Sequence, residues 1–410
     1  MVLLRALPIL VVVLLTSVAA ARAATVPQVT DFHCFWTAAR MVLDGADPYD
    51  PTRWAMAIGG PFADVGGVLR SAPCPGAFGY PLSTAVAFVP LAALPESVAA
   101  AVWAIVLVGA TAVGVGALWR AVDGRPSGLP LFAVIVGCAQ PLWLTIINAQ
   151  FGGLLLGLLG LVAIAQRGVR ERLGAVALAA LTLKPHVVSL VFVAAAYGAI
   201  RERRFGPLAL AAAVAGGFAL IATAVQPGWP AAWAAQLLGT RREMLPRQAT
   251  AWSLAADTIG DGRIGALFIF AVVLTAAVAL RGARSSGVDR VGLAICGSLL
   301  ITPYAGSHDQ VLLALPWAIV LTAAVDLPSP AGPALLLGLV FCASVLPWTL
   351  YAYALRARPD EATAWLVVAA TTLLVALAIR LRAVSAPSSQ AASWRTRARE
   401  RPMREASPDS

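Results

Sequence analysis

Runs of about 20 apolar residues recur along most of this chain, and they limit its fold more than any other feature. A bilayer interior has no water to satisfy backbone amides, so such runs cross it as helices. Only 12% of the 410 residues are charged, where soluble domains carry about 25%. The chain is therefore read as an all-α polytopic membrane protein. Its net charge of +10 does not point to nucleic acid. Most arginines stand in short clusters between apolar runs, which is the positive-inside pattern.

Those clusters set a topology. They are Arg120/Arg125, Arg167/Arg170/Arg172, Arg201/Arg203/Arg204, Arg281/Arg284/Arg290 and Arg380/Arg382. With all of them in the cytoplasm, spans fall near 4–24, 97–119, 129–147, 151–166, 172–184, 186–200, 206–225, 264–281, 289–303, 310–325, 331–349 and 361–382. That makes about twelve crossings with both ends inside. The first run is either a retained span or a cleaved signal, because Ala21-Arg22-Ala23 resembles a signal-peptidase site. Residue 25 emerges outside the cytoplasm in both cases.

The threading leaves large outer loops at 25–96 and 226–263. The apolar stretch 82–94 is broken by prolines and is expected not to cross; a crossing there would put Arg120 and Arg125 outside. Arg241, Arg242, Arg247, Arg263, Arg356 and Arg358 fall on the outer face against the charge bias. They either contact lipid head groups or bind a phosphate-bearing substrate. Residues 1–383 form one transmembrane domain in this reading. Residues 384–410, rich in Ser, Pro, Ala and Arg, form a basic cytoplasmic tail too polar to bury a core.

Acids are nearly missing from the predicted spans, so candidates for proton chemistry lie outside: Asp31, Asp44, Asp47, Asp50 and Asp64. Asp44 and Asp47 sit in Asp-Gly and Asp-Pro pairs that suit helix ends and turns. Asp31 directly follows the first span, where a carboxylate suits either a helix N-cap or a general base at the membrane surface.

Lys184 is the only lysine among 30 basic residues. It stands in Leu-Thr-Leu-Lys-Pro-His, between two arms of about 14 residues that reach roughly 21 Å each, short of the roughly 30 Å hydrocarbon core. An ammonium held at that depth needs an anion or water. It either clamps a substrate phosphate, snorkels outward, or pairs with an acid; His186 could add a donor. His308, in Ser307-His308-Asp309-Gln310, suits proton transfer or a sugar or phosphate contact, unless Ser307 merely caps the next helix. Asn148 and Gln150 suit sugar hydrogen bonds or turn formation. Cys34 and Cys74 share the first outer loop and could form a disulfide. There is no metal-ligand spacing and no phosphate-binding glycine loop.

Three stretches resemble glycosyltransferase family 87, the polyprenyl-phosphate-sugar-dependent transferases. They are Asp31–Tyr49 with Phe78-Gly79-Tyr80-Pro81-Leu82, then Asn148-Ala149-Gln150-Phe151-Gly152 with Leu183-Lys184-Pro185, then Pro303–Pro316 around His308. The chain departs from the family pattern at Phe35, where Tyr is common, and around His308. The resemblance implies a GT-C-like bundle and an inverting transfer of a hexose, mannose first, from a polyprenyl-phosphate donor to a lipid or glycan acceptor. Asp31 takes the position of the base. Lys184, Arg241 and Arg242 would hold the donor phosphate; His308, Asn148, Gln150 and His186 would contact substrate. No cofactor, metal or nucleic acid is implied. The site would lie on the extracytoplasmic side of the cell membrane. The rival expectation is a polytopic transporter or lipid flippase.

Overall fold

The computed structural model describes residues 2–64, 67–70, 74, 76–239, 247–253, 286–357 and 361–385, with side chains from residue 10 onward. Most of this is helix. Helix α1 (Val2–Thr25) is followed by α2 (Asp31–Leu43), α3 (Pro51–Ile58), α4 (Leu82–Ala92) and α5 (Glu96–Ala121). Then come α6 (Leu129–Gly137), α7 (Gln140–Ile147), α8 (Gly152–Ala165), α9 (Glu171–Ala180), α10 (Ser189–Arg201), α11 (Phe205–Val225) and α12 (Trp229–Leu238). Helices Gly287–Ile301, Ala314–Asp326, Ala331–Val340, Leu346–Ala357 and Trp365–Ser385 complete the described chain. A two-stranded hairpin pairs Phe62 with Arg70 and Ala63 with Leu69.

Five described helices are long and apolar enough to cross a membrane: Glu96–Ala121, Phe205–Val225, Ser307–Asp326, Ala331–Arg356 and Trp365–Ser385. A sixth arises if Pro126–Gly137 and Gln140–Ile147 count as one span bent by 63°. Pro141 explains that break, because proline opens α7 and cannot donate to the turn before it. Of the remaining expected spans, 4–24 falls on helix α1 of 24 residues, those near 151–166, 172–184, 186–200 and 289–303 are helical but short, and 264–281 lies outside the described residues. By length and composition, five or six of the described helices can cross a membrane, so the expected count of about twelve is not confirmed. Helix α4 has 11 residues, a rise of roughly 16 Å, too short to cross a bilayer.

Glycine sets the tightest helix pair. Helices α5 and α8 make the most extensive contact among the described elements. A Cβ on Gly157 would stand 2.9 Å from the Ala110 carbonyl oxygen, and one on Gly114 2.8 Å from the Leu156 backbone. Small residues let the backbones approach where lipid gives no hydrophobic drive between helices. This contact matters for the site because α8 begins two residues after Gln150.

Candidate active site

Helix α2 starts at Asp31, but the carboxylate does not cap it. Thr30 holds the N-cap position, and its hydroxyl donates to the Pro27 carbonyl at 2.8 Å. The Asp31 amide donates to the Asn148 carbonyl at 2.9 Å. Phe35 lies one turn on, on the same helix face as Asp31, and packs against Tyr80, Phe88 and Phe151 with centroids 4.4–5.3 Å apart. His33 ties the helix to α5 by bridging Glu96, at 2.6 Å, and the Ile58 carbonyl, at 2.8 Å. Cys34 and Cys74 are joined in a disulfide with Cα atoms 6.0 Å apart. These contacts aim Asp31 toward the end of α7.

That end is a tight helix stop. The amides of Ala149 and Gln150 donate to the carbonyls of Ile146 and Thr145 at 3.1 and 2.9 Å, and Ala149 has φ of +49°. This is a Schellman arrangement with alanine in the left-handed position where glycine is usual. The Trp103 indole holds it by donating to the Ala149 carbonyl at 2.8 Å. Gln150 is thereby turned inward, and its amide nitrogen donates to Asp31 Oδ2 at 2.7 Å.

Lys184 comes from the tip between α9 and α10 and is buried. Thr84 on α4 anchors the tip by donating to the Leu183 carbonyl at 2.7 Å. Pro185 opens the next turn and breaks the helix there. The ammonium lies 2.5 Å from Asp309 Oδ1, 3.4 Å from Gln150 Oε1 and 5.8 Å from the centre of the Tyr80 ring. Of the three readings of Lys184, pairing with an acid is therefore realised, and the acid is Asp309. His308 Nε2 stands 3.4 Å from the other Asp309 oxygen, and Thr145 donates to the His308 carbonyl at 2.7 Å. Ser307 does not cap; Gly306 holds that position and its amide donates to Asp309 at 3.3 Å.

All of this surrounds one cavity of about 210 Å³. Asp31, Gln150, Lys184, His186 and His308 line it, together with Tyr80, Asp309 and Glu361, which the sequence alone did not assign to a site. Tyr80 lay inside a quoted motif, and Asp309 beside a nominated histidine; Glu361 carried no pattern. Asn148 does not line the cavity and serves through its backbone carbonyl. Arg241 and Arg242 lie outside the described residues. The other outer acids have local tasks. Asp44 ends α2, Asp47 accepts from the Tyr49 amide, Asp50 caps α3 and Asp64 holds the hairpin at Val68 and Arg70.

Burial pushes the Asp31 carboxyl above the ordinary carboxylate range; His308, the Gln150 amide and Lys184 oppose this without cancelling it. Burial likewise raises the Tyr80 phenol, which stays a neutral hydroxyl. Asp31 Oδ2 accepts from Gln150, and Asp31 lines the cavity. Among the described residues, the one set of ligand atoms close enough to hold a metal is Asp31, Cys34 and Cys74, all within 4.8 Å of one another. Both sulfurs there are already bonded to each other.

The model of glycosyltransferase family 87 matches residues 78–303, just over half of the chain. The chain belongs to glycosyltransferase family 87. Membership of the family decides between the two classes the sequence left open, transferase and transporter, in favour of the transferase. The matched segment contains Tyr80, Gln150, Lys184 and His186; Asp31, His308, Asp309 and Glu361 lie outside it and reach the same cavity through the fold. No curated protein matches. The crystal structure of ArnT from Cupriavidus metallidurans bound to undecaprenyl phosphate is similar at 12% identity, covering 91% of this chain and 78% of that chain, with a TM-score of 0.38. A likeness that shallow carries no argument about the site.

Proposed function

We propose that this membrane glycosyltransferase moves a hexose, mannose foremost, from a polyprenyl-phosphate donor to a hydroxyl of a lipid or glycan acceptor. The observation that carries this reading is the meeting of Asp31 and Lys184 in one cavity, joined through Gln150. They are 153 positions apart in sequence and come from different elements. The transfer takes place on the extracytoplasmic side, inside a GT-C-like bundle.

In the proposed step the acceptor hydroxyl attacks the anomeric carbon from the face opposite the lipid phosphate. Its proton passes to Asp31. The bond from the anomeric carbon to the phosphate oxygen breaks, and the polyprenyl phosphate leaves with the electron pair. The configuration at that carbon inverts. General-base assistance of this kind contributes roughly a hundredfold to ten-thousandfold in rate.

Lys184 answers the charge on the leaving phosphate, but Asp309 already holds its ammonium. The cavity lining has three carboxylates, Asp31, Asp309 and Glu361, against that single ammonium. In this reading further positive charge for the phosphate comes from the Arg241–Arg242 pair. His308 and His186 supply donors to sugar hydroxyls.

Purified protein in detergent, given radiolabelled polyprenyl-phosphate mannose and a lipid extract as acceptor, should form labelled product and release polyprenyl phosphate. The same protein given nucleotide-mannose should form none. Transfer from the nucleotide sugar with no transfer from the lipid-linked one would remove the donor assignment.

A further inference from the structure

Glu361 sits at the start of the segment leading into helix Trp365–Ser385, far in sequence from the other cavity residues. Its carboxylate accepts twice from one residue: the Ser307 amide donates to Oε2 at 2.6 Å, and the Ser307 hydroxyl donates to Oε1 at 2.7 Å. Its own backbone is fixed, with its amide donating to the Arg247 carbonyl at 3.2 Å and its carbonyl accepting from Ala364 at 2.9 Å. Ala249 in turn donates to the Ala305 carbonyl at 2.9 Å. Glu361 thus grips the turn that presents His308 and Asp309.

Gly306 shows how closely the parts fit. A Cβ there would lie 2.3 Å from the His308 ring and 3.0 Å from Glu361 Oε2. The imidazole and the carboxylate therefore flank the same bare backbone position. One residue past His308, Asp309 holds Lys184, and Lys184 reaches Gln150, which holds Asp31.

We propose that Glu361 is a positioning residue for the transfer reaction: by holding both donors of Ser307 it sets where His308 and the Lys184–Asp309 pair stand in the cavity. This rests on the cavity being the transfer site. The geometry calls for two hydrogen-bonding atoms at glutamate length, an acceptor for the Ser307 amide and a partner for its hydroxyl. Aspartate, one methylene shorter, cannot span the gap from the same backbone. Glutamine can: its oxygen takes the Ser307 amide, and its amide group donates to a hydroxyl that rotates to accept.

The test compares Glu361→Gln, Glu361→Asp, Glu361→Ala and Ser307→Ala. Each is assayed with radiolabelled polyprenyl-phosphate mannose for kcat and KM, and for thermal unfolding in detergent. Misplacing a group by about 1 Å can cost on the order of a hundredfold. The expected result is a kcat loss of that order in Glu361→Ala and Glu361→Asp, and a smaller loss in Ser307→Ala. Glu361→Gln keeps most of the activity and the parent pH profile. If the alanine variant does not fold, the glutamine and Ser307 variants carry the same test. Wild-type kinetics in Glu361→Ala would overturn the proposal. So would a glutamine variant as inactive as the alanine one, since the charge and not the grip would then matter. Asp31→Asn is run alongside. If it stays active, the base assignment falls, while rescue by Glu361→Gln still reports on positioning.

Discussion

Gln150 donates to Asp31 through its amide, which favours the ionised carboxylate that a general base requires. Asp31 has a raised pKa, chiefly from burial, so less of it is ionised at a given pH. The transfer rate should therefore climb with pH as Asp31 loses its proton, along a limb above the ordinary carboxylate range. Replacing Gln150 with leucine removes a contact that lowers that pKa. A pH–rate profile of Gln150→Leu should show the limb moved to higher pH; an unmoved limb would mean that it reports another group. Lys184 makes a second residue-scale case. Breaking a buried ion pair by removing one partner costs about 3–5 kcal/mol, because the survivor is left charged and unpaired. Lys184→Met should therefore unfold at lower temperature and use the donor poorly. The double variant Lys184→Met/Asp309→Asn should regain thermal stability and still use the donor poorly. Recovery of donor use in the double variant would show that Lys184 serves the fold alone. The sequence exposed Asp31 and Lys184 because charge is conspicuous beside apolar runs. It could not expose Asp309 as the partner, 125 positions away, nor Glu361, whose role depends on a loop with no periodic pattern.

At the scale of elements, the crossing of α5 and α8 has no room for added carbon at Gly157. Overfilling a packed contact costs about 1–3 kcal/mol. Gly157→Ala should lower the thermal unfolding midpoint and reduce transfer, because α8 starts beside Gln150 and follows Phe151, which packs on Phe35. Gly109 on α5 is a matched control, since a Cβ there would meet nothing within 4 Å; Gly109→Ala should leave stability unchanged or raise it by up to about 1 kcal/mol, since alanine suits a helix better. Equal loss in the two variants would mean that the contact at Gly157 is unimportant. Helix locations were legible in the sequence, since apolar runs and arginine clusters mark them. Their lengths and bends were less so. The break between α6 and α7 at Cys138–Ala139, and the hairpin at Phe62–Arg70, depend on local turns that hydropathy does not register.

For the whole molecule, a helical membrane protein of glycosyltransferase family 87 folds so that segments far apart in sequence share one cavity. Among them are the start of α2, the tip between α9 and α10, and the turn before helix Ala314–Asp326. The disulfide of Cys34 with Cys74 and the bridge from His33 to Glu96 hold the first of these in place. The third is held by Glu361. Asp31, as proposed, takes the acceptor proton in that cavity. The decisive experiment is the initial rate of transfer from radiolabelled polyprenyl-phosphate mannose by Asp31→Asn, purified beside the parent protein and matched for thermal unfolding. A loss of roughly a hundredfold to ten-thousandfold in kcat is expected, with donor binding retained. A folded Asp31→Asn protein that transfers sugar at the parent rate would contradict that role.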